Sequence, residues 1–142
     1  MTKKYKAFIS YSHSNNRESG RKWADWLHQQ LESYEVPAEL VGTLNEAGET
    51  IPHNIYPVFQ DEKELSASSD LGHALTSALD EAELLIFLAS PQSARSMYVQ
   101  NELRYFKQIG RQNTIIALIL SGEPEYGDTH SELQCFPDEL RF

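Results

Sequence analysis

Tyr98 and Glu102 stand four residues apart in "SMYVQNELRYF", and on a helix that spacing stacks a phenol ring and a carboxylate one turn from each other. A ring beside a carboxylate, shielded in a cleft, is a receptor for a flat cationic ring and its sugar. The plain alternative is a surface glutamate beside a half-buried tyrosine, and spacing alone favours it. Two other stretches carry concentrated polar chemistry. In "KAFISYSHSNN" an apolar run stops on Ser10, Tyr11, Ser12 and His13, all able to hydrogen-bond. Those hydroxyls suit a ligand cleft as well as they suit a helix cap. The acidic loop "DEKEL" at 61–65 is, by composition alone, a solvated turn.

Several chemistries are excluded. No G-x-G-x-x-G or Walker pattern occurs, so the usual dinucleotide and triphosphate cradles are missing. The five histidines are dispersed without ligand spacing, and adjacent carboxylates in "DEKEL" do not converge on a cation, so no metal is expected. Phosphoryl transfer of the receiver type wants an acidic pair after the first strand, where this chain has "SYSH". No G-x-S-x-G elbow is present, and Cys135, the single cysteine, has no activating neighbour and forms no internal disulfide. A formal net charge of −9, with 12 Lys and Arg scattered along the chain, argues against nucleic acid and anionic membranes. No apolar run approaches a membrane span, and a cytoplasmic location is the simplest expectation.

The elements that must position these residues follow from the apolar pattern. Residues 6–10, 55–60, 84–90 and 114–120 read as strands, mostly continuously apolar as in a sheet covered on both faces. Between them, helices are expected from Asn15 or Asn16 to Pro37, from Ser69 or Asp70 through Ala82, and from Pro91 to about Ile109. Trp23, Leu27, Leu31 and Tyr34 give the first helix its apolar face. Leu71, Ala74, Leu75, Ala78, Leu79 and Ala82 do so for the second, and Val99, Leu103 and Phe106 for the third. Ser90 ahead of Pro91 caps the third helix, and Gly110 stops it. Residues 36–54 form a long turn-rich connection of no evident role.

Alternating strands and helices predict an α/β domain with a parallel sheet. At 142 residues the chain fits one domain, with four strands visible and neither a fifth strand nor a last helix. It is expected to be cut from something longer at its C-terminus. In such sheets ligands bind outside the carboxyl ends of the strands, where Ser10–His13, Gln60–Asp61, Ser90 and Ser121–Glu123 lie.

Taken together, "KAFISYSH", "VFQDEKELSASSDLGHAL", "LLIFLASPQSARS" and "YVQNELRYF" resemble a bacterial Toll/interleukin-1 receptor (TIR) domain over residues 5–120. The resemblance implies a flavodoxin-like fold and, in many bacterial members, cleavage of NAD+ between nicotinamide and ribose. It carries the catalytic role to Glu102, with Tyr98 at the aromatic position that many members fill with Trp. It places Tyr11, Ser12, His13, Phe59, Asp61 and Leu71 beside the ligand. NAD+ is then the substrate and no cofactor is expected. Other TIR domains are implied as partners in a homo-oligomer or filament, with the loop 61–70 completing a neighbouring site. The implied role is antiphage defence in the cytoplasm.

Two other functions compete: a non-catalytic TIR–TIR adaptor, and a nucleoside deoxyribosyltransferase-like enzyme built on a similar sheet with a catalytic glutamate. Glu102 at the family's spacing favours the NAD+ enzyme; a linear and a cyclic ADP-ribose product stay equally open.

Overall fold

The structure is a computed structural model of the chain, and it describes residues 5–12, 23–46, 48, 50–60, 73–122, 134–137 and 140. Strands β1 (Ala7–Ser10), β2 (Val58–Gln60), β3 (Leu85–Ala89) and β4 (Ile115–Ile119) form one sheet in the order β2-β1-β3-β4. Every pair is parallel, with Ala7 opposite Val58, Phe8 opposite Leu85, and Leu85 opposite Ile115. The expected α/β architecture is present. The order reverses between β1 and β3, so their carboxyl ends flank the switch-point crevice of a doubly wound sheet.

Strand alternation sorts the core into two layers. Phe8, Leu85, Phe87 and Ala89 point to one face, where they pack with Leu75, Ala78 and Leu79 of α2 (His73–Asp80) and Val99, Leu103 and Phe106 of α4 (Met97–Gln108). Ala7, Ile9, Ile86 and Leu88 point to the other, against Ala24, Leu27 and Leu31 of α1 (Trp23–Ser33). Cys135 is fully buried in the first layer, a packing thiol.

Boundaries differ from expectation in instructive places. The second strand begins at Val58 instead of residue 55, because Pro57 has no N–H to give the ladder. Its carbonyl still accepts from Lys6 N–H at 2.8 Å. The single helix expected from Pro91 to Ile109 is two: α3 (Pro91–Arg95) and α4, separated by Ser96 in an extended conformation (φ −76°, ψ 117°). Ser96 closes α3 and caps α4, its Oγ accepting from Val99 N–H at 3.3 Å. Ser90 caps α3 as expected, accepting from Ser93 N–H at 3.1 Å. Gly110 stops α4 as expected at φ +82°, with Arg111 N–H returning to Phe106 O and Gly110 N–H to Lys107 O. The helix caps expected around Asn15, Asn16, Ser69 and Asp70 lie outside the described residues.

β4 departs most from its pattern. A strand this apolar was expected to be covered on both faces, yet Ile116, Leu118 and Ile119 are 46%, 39% and 50% exposed. Among the described residues it is a sheet edge, and the layer under α1 contains no β4 side chain. Residues 35–54 form a hairpin-like excursion pinned by antiparallel bridges Glu35–Asn54 and Leu44–Thr50.

Candidate functional site

The strand tip beside α4 holds the chain's one described buried carboxylate. Ser10 shares the parity of Phe8, so its side chain leaves β1 on the α2/α4 face. There its Oγ donates to Glu102 Oε1 at 2.7 Å, with Ser10 0% and Glu102 1% exposed. A hydroxyl donating to an ionised carboxylate at such a distance makes a charge-assisted hydrogen bond. A buried glutamate is costly unless its oxygens find donors, and Ser10 supplies one of them. Nothing in the packing of α4 asks for a carboxylate, since Val99, Leu103 and Phe106 already fill its core stripe, each fully buried.

Ser96 sets where this face begins. By restarting the helix there it rotates Tyr98 and Glu102 inward together, Tyr98 being 7% exposed and part of the same core layer. The spacing alone favoured a surface glutamate beside a half-buried tyrosine; both side chains are instead buried. The helix rises one turn between them, so ring and carboxylate occupy successive levels of one wall.

The other expected site residues divide. Ser12 is buried at the strand tip, 8% exposed. Phe59 is half-buried in the Glu102 layer, its ring stacked on Phe8 (centroids 5.0 Å apart, 16° between planes) and edge-on to Tyr5 (5.3 Å, 71°). Tyr11 is buried in the opposite layer, with Ala24 and Ile9, and its hydroxyl lies 3.5 Å from Gln60 Nε2. That nitrogen is 2.6 Å from Asp25 Oδ1. The structure thus brings Ser10, Tyr98 and Glu102 to one side and takes Tyr11 to the other. His13, Asp61 and Leu71 lie outside the described residues. Among the described residues no group of three or more His, Cys, Asp or Glu is placed to hold a metal ion.

Ser10 is the residue that the sequence reading left among generic strand-end hydroxyls. The signal that finds it is parity: a polar residue two after Phe8 on a buried strand must be satisfied from the helix packed over that face. Ser90, a buried hydroxyl at the end of β3, caps α3 and lies 2.9 Å from Ser93 Oγ.

Comparison with known proteins agrees with this architecture. The family model for the TIR domain matches residues 7–137. An NAD(+) hydrolase of an Actinoplanes species, ApTIR, is 27% identical over 120 residues, which is 84% of this chain and 14% of that protein. The TIR domains in the activated Roq1 resistosome that recognises the effector XopQ share the fold. There the TM-score is 0.51 at 18% identity, over 81% of this chain and 55% of that one. The chain therefore spans about half of that structure and a small part of the Actinoplanes protein. With the family model covering nearly all of its length, four parallel strands in the order 2-1-3-4 and a solved TIR domain of the same fold, this chain belongs to the TIR domain family.

Proposed function

We propose that this domain cleaves NAD+ at the bond between nicotinamide and ribose, with Glu102 as the catalytic carboxylate. The observation that carries the reading is the burial of Glu102 at the switch-point crevice, hydrogen-bonded to Ser10 and one helical turn from Tyr98. The likeness to the Actinoplanes NAD(+) hydrolase supports it.

The chemistry needs one anion. As the C1′–N bond breaks, its electron pair goes to the pyridine nitrogen and nicotinamide leaves neutral, so no acid has to protonate it. Positive charge develops on the ribose as an oxocarbenium-like centre. A carboxylate held in a dry wall beside that centre stabilises it without reorganising at the moment of reaction. Water then attacks C1′ and loses a proton, giving ADP-ribose; attack by the adenine ring would give a cyclic product. In this reading Tyr98 supplies an aromatic face at the adjoining level of the wall, and binding of the substrate is assigned to Ser12, Phe59, His13, Asp61 and Leu71. For Tyr11, seated in the other layer, we assign a framework role to the ring.

Glu102 shows 1% of its surface to solvent, so productive contact with NAD+ requires a rearrangement that exposes it. Self-assembly of TIR domains is the trigger we propose, and antiphage defence the setting. The test is to incubate concentrated or artificially clustered protein with NAD+ and separate the products by chromatography. Nicotinamide release by the wild type, lost in Glu102→Gln, is the expected result. Intact NAD+ in both, under clustering that demonstrably forms oligomers, favours the adaptor reading and overturns this one.

A further inference from the structure

Ser10 does more in this arrangement than fill a strand end. It is the last residue of the central strand β1, fully buried, and its Cα is in register with Phe87 of β3. The backbone on which its hydroxyl is mounted is therefore fixed from the β3 side. The side chain has one rotatable bond before the oxygen. A donor on so short and well-anchored a stem fixes the acceptor's position more sharply than a long flexible side chain could. Glu102, by contrast, reaches the contact through three side-chain torsions from a helix. The 92-residue separation of the two makes the bond a tertiary clamp between sheet and helix.

We propose that Ser10 is a positioning residue for Glu102: it holds the carboxylate in one rotamer at the crevice and keeps it in its ionised form. This rests on the reading of Glu102 as the catalytic carboxylate. The proton argument follows from the geometry. A hydroxyl can donate to an ionised oxygen at 2.7 Å, and donation to the charged form favours that form, whereas burial favours the neutral acid. Removing the hydroxyl leaves burial in place and takes away an opposing force, so Glu102 should hold its proton to higher pH. Several charged groups on and near α4 have contacts of their own among the described residues. Asp80 of α2 accepts from the Tyr105 hydroxyl at 2.7 Å, Arg111 is bound to the carbonyls of Leu79 and Ala82, and Arg104 on α4 donates to Asn101. On α4 itself the titratable neighbours are Tyr98, one turn before Glu102, and Arg104 and Tyr105, two and three residues after it.

The experiment measures the Glu102 carboxyl directly, by its carbon-13 resonance through a pH titration, assigned by its loss in Glu102→Gln. The same samples, clustered, are assayed for NAD+ cleavage. In Ser10→Ala the Glu102 midpoint is expected to rise by about one pH unit. At pH 7.5 kcat is expected to fall about tenfold with KM changed less than about twofold, since the loss is one of charge placement and not of substrate contact. Ser10→Thr, which keeps the hydroxyl, should restore most of both. If Ser10→Ala does not fold, Ser10→Cys, close in size and a weak donor, is measured in its place. A folded variant with an unmoved Glu102 midpoint overturns the proposal, as does unchanged kcat in a background where the wild type is active. Should neither wild type nor variant cleave NAD+, the catalytic reading fails, and the titration midpoint still decides whether Ser10 sets the state of Glu102.

Discussion

Consecutive residues at the end of β1 are sent to opposite sides of the sheet and meet different chemistry there. Ser10 goes to the α2/α4 layer and holds the buried carboxylate of Glu102. Tyr11 goes to the α1 layer, near Gln60, which is bonded to Asp25 in the first turn of α1. The α1 side reads as fastening. Next to the Gln60–Asp25 contact, Glu32 Oε2 accepts from Val58 N–H and His28 Nε2 donates to Val58 O, each at 2.9 Å. These contacts satisfy outward-facing backbone groups of β2, the sheet edge that α1 covers, and so close it to further pairing. The polar groups named there each hold a strand or helix in place. On the α4 side the carboxylate is costly to bury and no packing demand explains it. That asymmetry is what separates a candidate site from well-satisfied polar structure.

The largest expected effect breaks this contrast at its centre. Glu102→Gln keeps the shape and one acceptor oxygen but removes the charge facing the developing ribosyl cation. Loss of a comparable electrostatic contact costs on the order of a hundred- to a thousandfold in kcat, about 3–4 kcal/mol, so clustered Glu102→Gln should release nicotinamide at that reduced rate or below detection. Its circular dichroism should match the wild type. A rate within twofold of the wild type would reduce the α4 side to structure like the α1 side.

Much of this was legible beforehand, and the exceptions have a common cause. Continuous apolar runs gave the four strands, and the i, i+4 pairing of Tyr98 and Glu102 was visible as a pair. Which way that pair faces was not, because it depends on where α4 starts. Serines stand at 90, 93 and 96, all capable of capping, and "SPQSARSMY" reads as one helix. Only packing against β3 and β1 decides that Ser96 restarts it. The exposed β4 was misread for a related reason: apolar composition reports that a strand wants covering on both faces, while coverage depends on neighbours. The direction of Tyr11 was in principle readable, since it is three residues after Phe8 and so has opposite parity.

Tyr98 sharpens the comparison at intermediate size, because it is both packed and placed beside Glu102. Tyr98→Ala empties a buried aromatic site, and a loss of about 3 kcal/mol in unfolding free energy is expected by denaturant titration. Tyr98→Trp should retain or improve NAD+ cleavage if an aromatic face is what the substrate uses. Were Tyr98→Ala to lose stability while keeping the wild-type rate per folded molecule, Tyr98 would belong to the core alone.

The smallest effect belongs to the fastening side. Asp25→Ala removes the acceptor for Gln60 Nε2 and a favourable acidic group in the first turn of α1. A part-buried hydrogen bond of this kind contributes about 1 kcal/mol, so a modest drop in the denaturation midpoint is expected. The NAD+ cleavage rate of the folded fraction should not change, since Asp25 and Glu102 lie on opposite faces of the sheet. Distant sites of that kind contribute additively, so Asp25→Ala combined with Ser10→Ala should show the sum of the two stability changes. The rate of the double variant should equal that of Ser10→Ala alone. A rate loss from Asp25→Ala as large as that from Ser10→Ala would mean that the two sides of the β1 tip act as one unit, and the catalytic wall would have to be extended across the sheet.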